Sequence, residues 1–292
     1  MSFSGITTAL VTPFLSQKLD QKSFFNLLED QTKQGIKSFV LNGTTGESPT
    51  LKEEEVRQLC LWFQDFQKTK NIKLNLLLGT GTFSTEVTLE KTKKAEGLGA
   101  SAVLVVTPYY NKPSQEGLLE HFSLVAKATP LPVILYNVPS RTSSSLELAT
   151  IKELALIPNI IGIKEASGDV DFLIKIRETC SKDFLFLSGD DFTAVKSMVL
   201  GGDGVISVAS HVLGKVFLSW FKRATTEKEL VLKEFEKYES FLKELYATTN
   251  PIGIKQLLKQ KKIITSSELR LPLKQAKEKS SLLEDLFLEL EQ

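Results

Sequence analysis

A regular alternation constrains this chain more than any other feature. Short β-rich runs at residues 6–11, 38–41, 74–78, 102–106, 132–136, 160–164, 184–187 and 204–208 alternate with longer stretches of helical periodicity. Those stretches fall at 21–34, 52–68, 85–98, 115–128, 146–156, 169–180 and 191–200. Eight strands in this rhythm read as an α/β fold of the (β/α)8 TIM-barrel type, with a doubly wound open sheet as the alternative. Ser84, Ser114 and Ser145 stand where helix N-caps are expected, and Gly35 and Gly99 close helices before the next strand. Past His211 the strand pattern stops. Residues 214–224 complete the barrel, while 227–246, 251–262 and 273–291 read as a C-terminal helical appendage. The expected organisation is therefore a barrel over 1–224 and a helical region over 225–292. The charged face of 227–244 is a solvated one.

A formal net charge of +1 gives no long-range field for nucleic acid or an anionic membrane. No apolar run is long enough to span a bilayer, and residues 1–5 lack the basic and apolar regions of a secretory signal. Cys60 and Cys180 form neither a disulfide framework nor a zinc spacing, so a reducing cytoplasm is the expected compartment. Asn42-Gly43-Thr44 matches a glycosylation sequon by chance in such a chain. His121 and His211 stand alone, as structural or surface histidines do. Their scarcity argues against a metal-dependent aldolase, which needs a ligand cluster.

Function in such a barrel sits at the C-terminal ends of the strands. The sixth run, Ile160-Ile161-Gly162-Ile163-Lys164, is apolar on both faces and ends in a lysine. Alternation puts Ile160, Gly162 and Lys164 on one face and Ile161 and Ile163 on the other, with Gly162 leaving room beside the ammonium. A lysine there is either a snorkelling surface residue or a desolvated amine waiting for a carbonyl. The other strand ends favour the amine. The second carries Asn42-Gly43-Thr44-Thr45-Gly46-Glu47-Ser48, whose amides and hydroxyls suit a small carboxylate. The fourth carries Tyr109-Tyr110-Asn111, and the fifth Tyr136-Asn137-Val138-Pro139-Ser140-Arg141. Tyr136 is a candidate proton relay and Arg141 a fixed fork for a carboxylate. The seventh ends in Ser188-Gly189-Asp190-Asp191 and the eighth in Gly204-Val205-Ile206-Ser207. Together they describe a site for an anionic oxo acid with Lys164 as nucleophile.

These motifs, in this order, resemble the dihydrodipicolinate synthase (4-hydroxy-tetrahydrodipicolinate synthase) family from Gly5 to about His211. Leu269-Arg270-Leu271-Pro272 is similar to the family's tail. The resemblance implies a lyase of the class I aldolase type that condenses pyruvate with L-aspartate 4-semialdehyde, the first committed step of lysine and diaminopimelate synthesis. It implies no cofactor and no metal beyond a covalent imine of Lys164 with pyruvate. Tyr136 would shuttle protons, Thr45 would link it to Tyr110, and Tyr110 would reach in from a neighbouring subunit. Thr44 and Thr45 would hold the pyruvate carboxylate, Arg141 would orient the semialdehyde, and Gly189 and the Ile206 backbone would line the pocket. The working unit would be at least a homodimer, and in the family commonly a tetramer built as a dimer of dimers. Lysine-sensitive members carry a histidine, asparagine and glutamate set where this chain has Glu53, Val56, Phe83 and Val87. Weak or no feedback inhibition by lysine is expected, with Glu86 a substitute only if the alignment slips by one.

Two other readings stand beside this one. One is a related pyruvate-dependent lyase or aldolase, acting on N-acetylneuraminate or a 2-keto-3-deoxy sugar acid; Arg141 and Tyr109-Tyr110-Asn111 speak for the synthase. The other is a catalytically silent barrel used for binding.

Overall fold

The computed structural model describes residues 3–275 and 281–291. Eight parallel strands close into a barrel: β1 (Gly5–Ala9), β2 (Ser38–Leu41), β3 (Asn75–Gly79), β4 (Ala102–Val106), β5 (Val133–Asn137), β6 (Ile160–Glu165), β7 (Leu185–Ser188) and β8 (Gly204–Ser207). Each pairs with its neighbour in sequence, and β1 pairs with β8 to close the ring. The open-sheet alternative is thereby excluded. Closure needs glycine at the seam: Gly204 has φ of 144°, and a Cβ there would sit 1.9 Å from the Gly5 carbonyl oxygen.

The helices follow the strands as the periodicity requires: α1 (Gln21–Lys33), α2 (Glu53–Lys70), α3 (Thr85–Ala95), α4 (Gln115–Lys127), α5 (Leu148–Leu154), α6 (Val170–Thr179), α7 (Asp191–Val199) and α8 (Ser210–Arg223). Ser84 and Ser114 cap α3 and α4 by accepting the amides of Val87 and Gly117. Ser145 does not cap α5. That helix starts later, with Glu147 at its N-cap, because a single turn at Pro139–Thr142 and the extended residues after it use up the intervening chain. Gly35 and Gly99 adopt φ of 94° and 80°, as helix-terminating glycines do. A two-stranded ribbon, Phe14–Leu15 against Lys18–Leu19, turns through Ser16 and Gln17 at positive φ. It carries no run long enough to signal a strand.

After α8 come α9 (Lys228–Glu236), α10 (Glu239–Leu245), α11 (Ile252–Gln260) and α12 (Ser281–Glu291), with no strand among the described residues. The expected single helix at 227–246 is two, divided at Lys237–Tyr238. Residues 276–280 of the expected last helix lie outside the described residues. One apolar cluster runs from the outer strand faces into these helices: Trp220 packs edge-on against Phe235 and Tyr238 at 5.6 and 4.9 Å between centroids. A second cluster, including Ala9, Val40, Leu77, Leu104, Ile134, Leu187 and Ile206, fills the barrel interior. Among the described residues no helix is long and apolar enough to cross a membrane.

Strict alternation fails along β6. Ile160 and Ile163 pack in the outer cluster and Ile161 against the inner one. The cause is a register shift: Val133 pairs with Ile160 but Ile134 with Gly162, so one extra residue sits in β6. Beyond the shift, Tyr136 and Lys164 fall directly opposite each other.

Candidate active site

The C-terminal strand ends surround a cavity of about 190 Å³. Its wall includes Thr44 and Thr45 from beyond β2, Tyr136 from β5, Arg141 from the Pro139–Thr142 turn, Lys164 from β6 and Gly189 from beyond β7. The sequence motifs therefore converge on one space. Lys164 is 7% exposed, with its Nζ 4.2 Å from the centroid of the Tyr136 ring. It does not snorkel. The ring face offers the amine a neighbour that is not a carboxylate.

Gly189, rather than Gly162, gives the lysine its room. A Cβ at Gly189 would lie 2.8 Å from Lys164 Cε and 2.9 Å from its Cγ, whereas a Cβ at Gly162 would strike the Leu185 carbonyl at 2.5 Å. Gly162 serves the packing of β6 against β7, and Gly189 makes space for the Lys164 side chain.

Arg141 is exposed at the mouth. Tyr110, with φ of 75°, projects 92% exposed from the rim and does not line the cavity of its own chain. Ile206 packs in the interior cluster, and Val208, two residues further on, reaches the cavity wall. Thr44 also lines a small adjoining space of about 40 Å³ together with Ser48, Val106 and Tyr136. Thr45 does not. Its Oγ1 accepts the side-chain amide of Asn250 at 3.0 Å.

Asn250, Tyr246 and Asp190 complete the wall, and motif reading passed over all three as site residues. Tyr246 and Asn250 come from the helical segment after the barrel, about two hundred residues from the threonines. Tyr246 donates its hydroxyl proton to Asp191 Oδ2 at 2.6 Å, and that oxygen also accepts the amides of Val208 and Ala209. Burial, then the Asp191 charge, pushes the Tyr246 phenol well above its ordinary range. Burial and Asp191 likewise raise the Asp190 carboxyl.

The rim is fixed from behind. Glu165, fully buried, accepts Asn137 Nδ2 at 2.7 Å and the Ser167 amide at 2.6 Å, which locks the ends of β5 and β6 together. Burial raises its carboxyl above the usual carboxylate range. Glu47, which ends the Thr-Thr loop at φ of 59°, forms a buried ion pair with Lys255 of α11 and accepts the Arg270 amide at 2.9 Å. Lys255 Nζ donates again to the Glu268 carbonyl at 2.8 Å and lies 4.4 Å from the Phe14 ring centroid. Desolvation outweighs Glu47 and lowers the Lys255 amine to about 8.

Both histidines are structural. His211 Nε2 accepts the Val11 amide at 3.2 Å while Nδ1 faces the Val208 carbonyl at 2.8 Å, so the ring is neutral, and burial holds it at about 4. His121 contacts Thr85 and is also held at about 4 by burial. A larger cavity of about 300 Å³ lies outside the barrel between α2 and α3, lined by residues such as Leu51, Val56 and Leu98. It contains neither Lys164 nor Tyr136.

The sequence pattern of the Dihydrodipicolinate synthetase family matches residues 2–286. A curated relative from Bdellovibrio bacteriovorus, named 4-hydroxy-tetrahydrodipicolinate synthase, is 46% identical over 274 residues, covering 93% of this chain and 92% of the relative. The crystal structure of dihydrodipicolinate synthase from Thermotoga maritima superposes with a TM-score of 0.93 at 38% identity, covering 98% of both chains. A structure described as the first monomeric dihydrodipicolinate synthase variant superposes equally well, at 38% identity, covering 98% of this chain and 96% of its own.

Proposed function

The chain belongs to the dihydrodipicolinate synthetase family, and on that premise we propose that it condenses pyruvate with L-aspartate 4-semialdehyde through an imine on Lys164. The observation that carries this reading is the buried Lys164 set against Tyr136 across one strand pair, in a small cavity that also holds Thr44, Thr45 and Arg141. The Lys164 nitrogen attacks C2 of pyruvate, and the carbonyl oxygen leaves as water after two proton transfers. The Tyr136 phenol serves those transfers. The imine then draws electrons from the pyruvate methyl group, a proton leaves C3, and the resulting enamine carbon attacks the aldehyde. The imine is itself the electron sink, so the reading calls for no cofactor.

The Thr44–Thr45 turn holds the pyruvate carboxylate, and Arg141 at the mouth meets the carboxylate of the second substrate. Resemblance assigned the relay beyond Tyr136 to Thr45. Geometry favours Thr44, which lines the small space beside Tyr136, whereas Thr45 does not line it and its hydroxyl accepts from Asn250. Gly189 gives the lysine its room, and Ile206 supports the floor from the interior.

Tyr110 completes the relay from a second copy of the chain, which makes a dimer or a pair of dimers the working unit; its near-complete exposure leaves it available for that contact. A fully active monomer in sedimentation would exclude this arrangement. Residues 1–224 act as the catalytic barrel and 225–292 as a helical region that supplies Tyr246 and Asn250 to it. Two free cysteines and a net charge of only +1 fit a cytoplasmic enzyme.

The test is covalent capture. Incubation with pyruvate and borohydride should add one reduced pyruvate to the Lys164 peptide by mass, and Lys164→Ala should abolish the adduct. Condensation with L-aspartate 4-semialdehyde should persist in EDTA. An unmodified lysine, or a preference for N-acetylmannosamine or glyceraldehyde as the aldehyde, would overturn the assignment.

A further inference from the structure

We propose that Asp190, together with the side-chain oxygen of Asn250, recognises the α-ammonium of the aldehyde substrate and makes the site selective for an amino aldehyde. The inference rests on the reaction proposed above. That aldehyde carries two charges, and Arg141 answers only the carboxylate. Its ammonium needs acceptors, because a desolvated cation left unpaired is costly.

The described cavity wall holds a single carboxylate, Asp190. Its position is fixed, since it caps α7 by accepting the Phe192 amide at 3.3 Å. The same wall includes Asn250, which holds an unused acceptor. Asn250 commits its Nδ2 to Thr45, and its Oδ1 is buried with no hydrogen-bond partner among the described residues. A buried carbonyl oxygen left unsatisfied costs free energy that a ligand N–H recovers. Tyr246, in the same wall, has its proton given to Asp191 and so brings no competing donor.

Strand order gives the arrangement its direction. Arg141 follows β5, Lys164 is the last residue but one of β6 and Asp190 follows β7, and these three strands are consecutive neighbours in the barrel. The nucleophile therefore lies on the strand between the one that presents a cation and the one that presents an anion. A zwitterionic aldehyde laid across the imine meets the charge opposite to its own at each end. Burial and the neighbouring Asp191 disfavour the ionised Asp190, and a bound ammonium offsets both effects.

The experiment compares L-aspartate 4-semialdehyde with succinate semialdehyde, the same molecule without the amino group, in wild type and Asp190→Asn. Asparagine keeps the helix cap and the shape but loses the charge. The ratio of kcat/KM for the two aldehydes should fall roughly ten- to hundredfold, the worth of a charge-assisted hydrogen bond, and chiefly through KM. Where succinate semialdehyde does not turn over, its inhibition constant against the amino aldehyde replaces its kcat/KM. Asp190→Ala should show the same loss of preference, which separates lost charge from an effect of the new amide. An unchanged ratio in both variants overturns the assignment. Failure of wild-type enzyme to form the pyruvate adduct would instead refute the reaction, and this inference with it.

Discussion

Replacing Lys255 by methionine tests how the Thr-Thr loop is held, and its signature is a dependence on pH. The wild-type side chain is wholly buried, paired with Glu47, and its amine is lowered from 10.5 to about 8. Below pH 8 the folded chain carries this charge at a cost of about 3 kcal/mol relative to the unfolded chain. Between about 8 and 10.5 the folded state has released the proton and the unfolded state still holds it. Folding stability contributed by this residue therefore rises with pH through that window and is level below it. The buried Cys60 thiol, pushed up to about 12, and the Tyr246 phenol slope the other way, so the quantity to follow is wild type minus Lys255→Met. Urea unfolding at intervals from pH 7 to 10.5 should show that difference growing by about 3 kcal/mol. At neutral pH the variant should already be less stable by about 3–5 kcal/mol, because Glu47 keeps a buried charge without its cation. Adding Glu47→Gln should restore part of the loss. A difference that stays flat with pH, or a variant as stable as wild type at pH 7, would refute the account of this pair.

Two further outcomes follow from the same geometry. Gly189→Ala puts a methyl group 2.8 Å from Lys164 Cε; adduct formation should slow by about 100-fold and stability fall by about 1–3 kcal/mol, and trapping at the wild-type rate would show that the lysine has slack. L-lysine should not inhibit at sub-millimolar concentration, because Glu53 is engaged by Lys94 at 2.6 Å while Phe83 packs edge-on against Tyr109 and Val87 stands exposed; strong inhibition in an initial-rate titration would contradict this.

The barrel was legible because its evidence is local. Each strand is a short, mostly apolar run and each helix a 3.6-residue rhythm, so eight repeats imposed a topology and the topology said where to look for chemistry. Lys164, Tyr136, Thr44 and Arg141, singled out by inspecting strand ends, line one cavity. What escaped was non-local. Nothing around Asn250 or Lys255 indicates that each touches the Gly43–Glu47 loop more than two hundred residues earlier. The misjudged glycine had the same origin: Gly162 adjoins the lysine in sequence, but Gly189 adjoins it in space. The failed alternation of Ile160 and Ile161 came from a register shift, which depends on the partner strand and leaves no mark in a single run. Asp190 stands in the motif after the seventh strand, but nothing in that run marks it as facing the cavity rather than capping the helix that follows.

Closure of the cavity by Asn250 bears on how the molecule comes into being during translation. A ribosome that has delivered β8 has released every strand of the ring and Lys164, yet the wall around that lysine is open until some forty more residues emerge. Enclosure of the proposed nucleophile is thus postponed until Asn250 has emerged, and a chain terminated before it would carry Lys164 without this part of its wall.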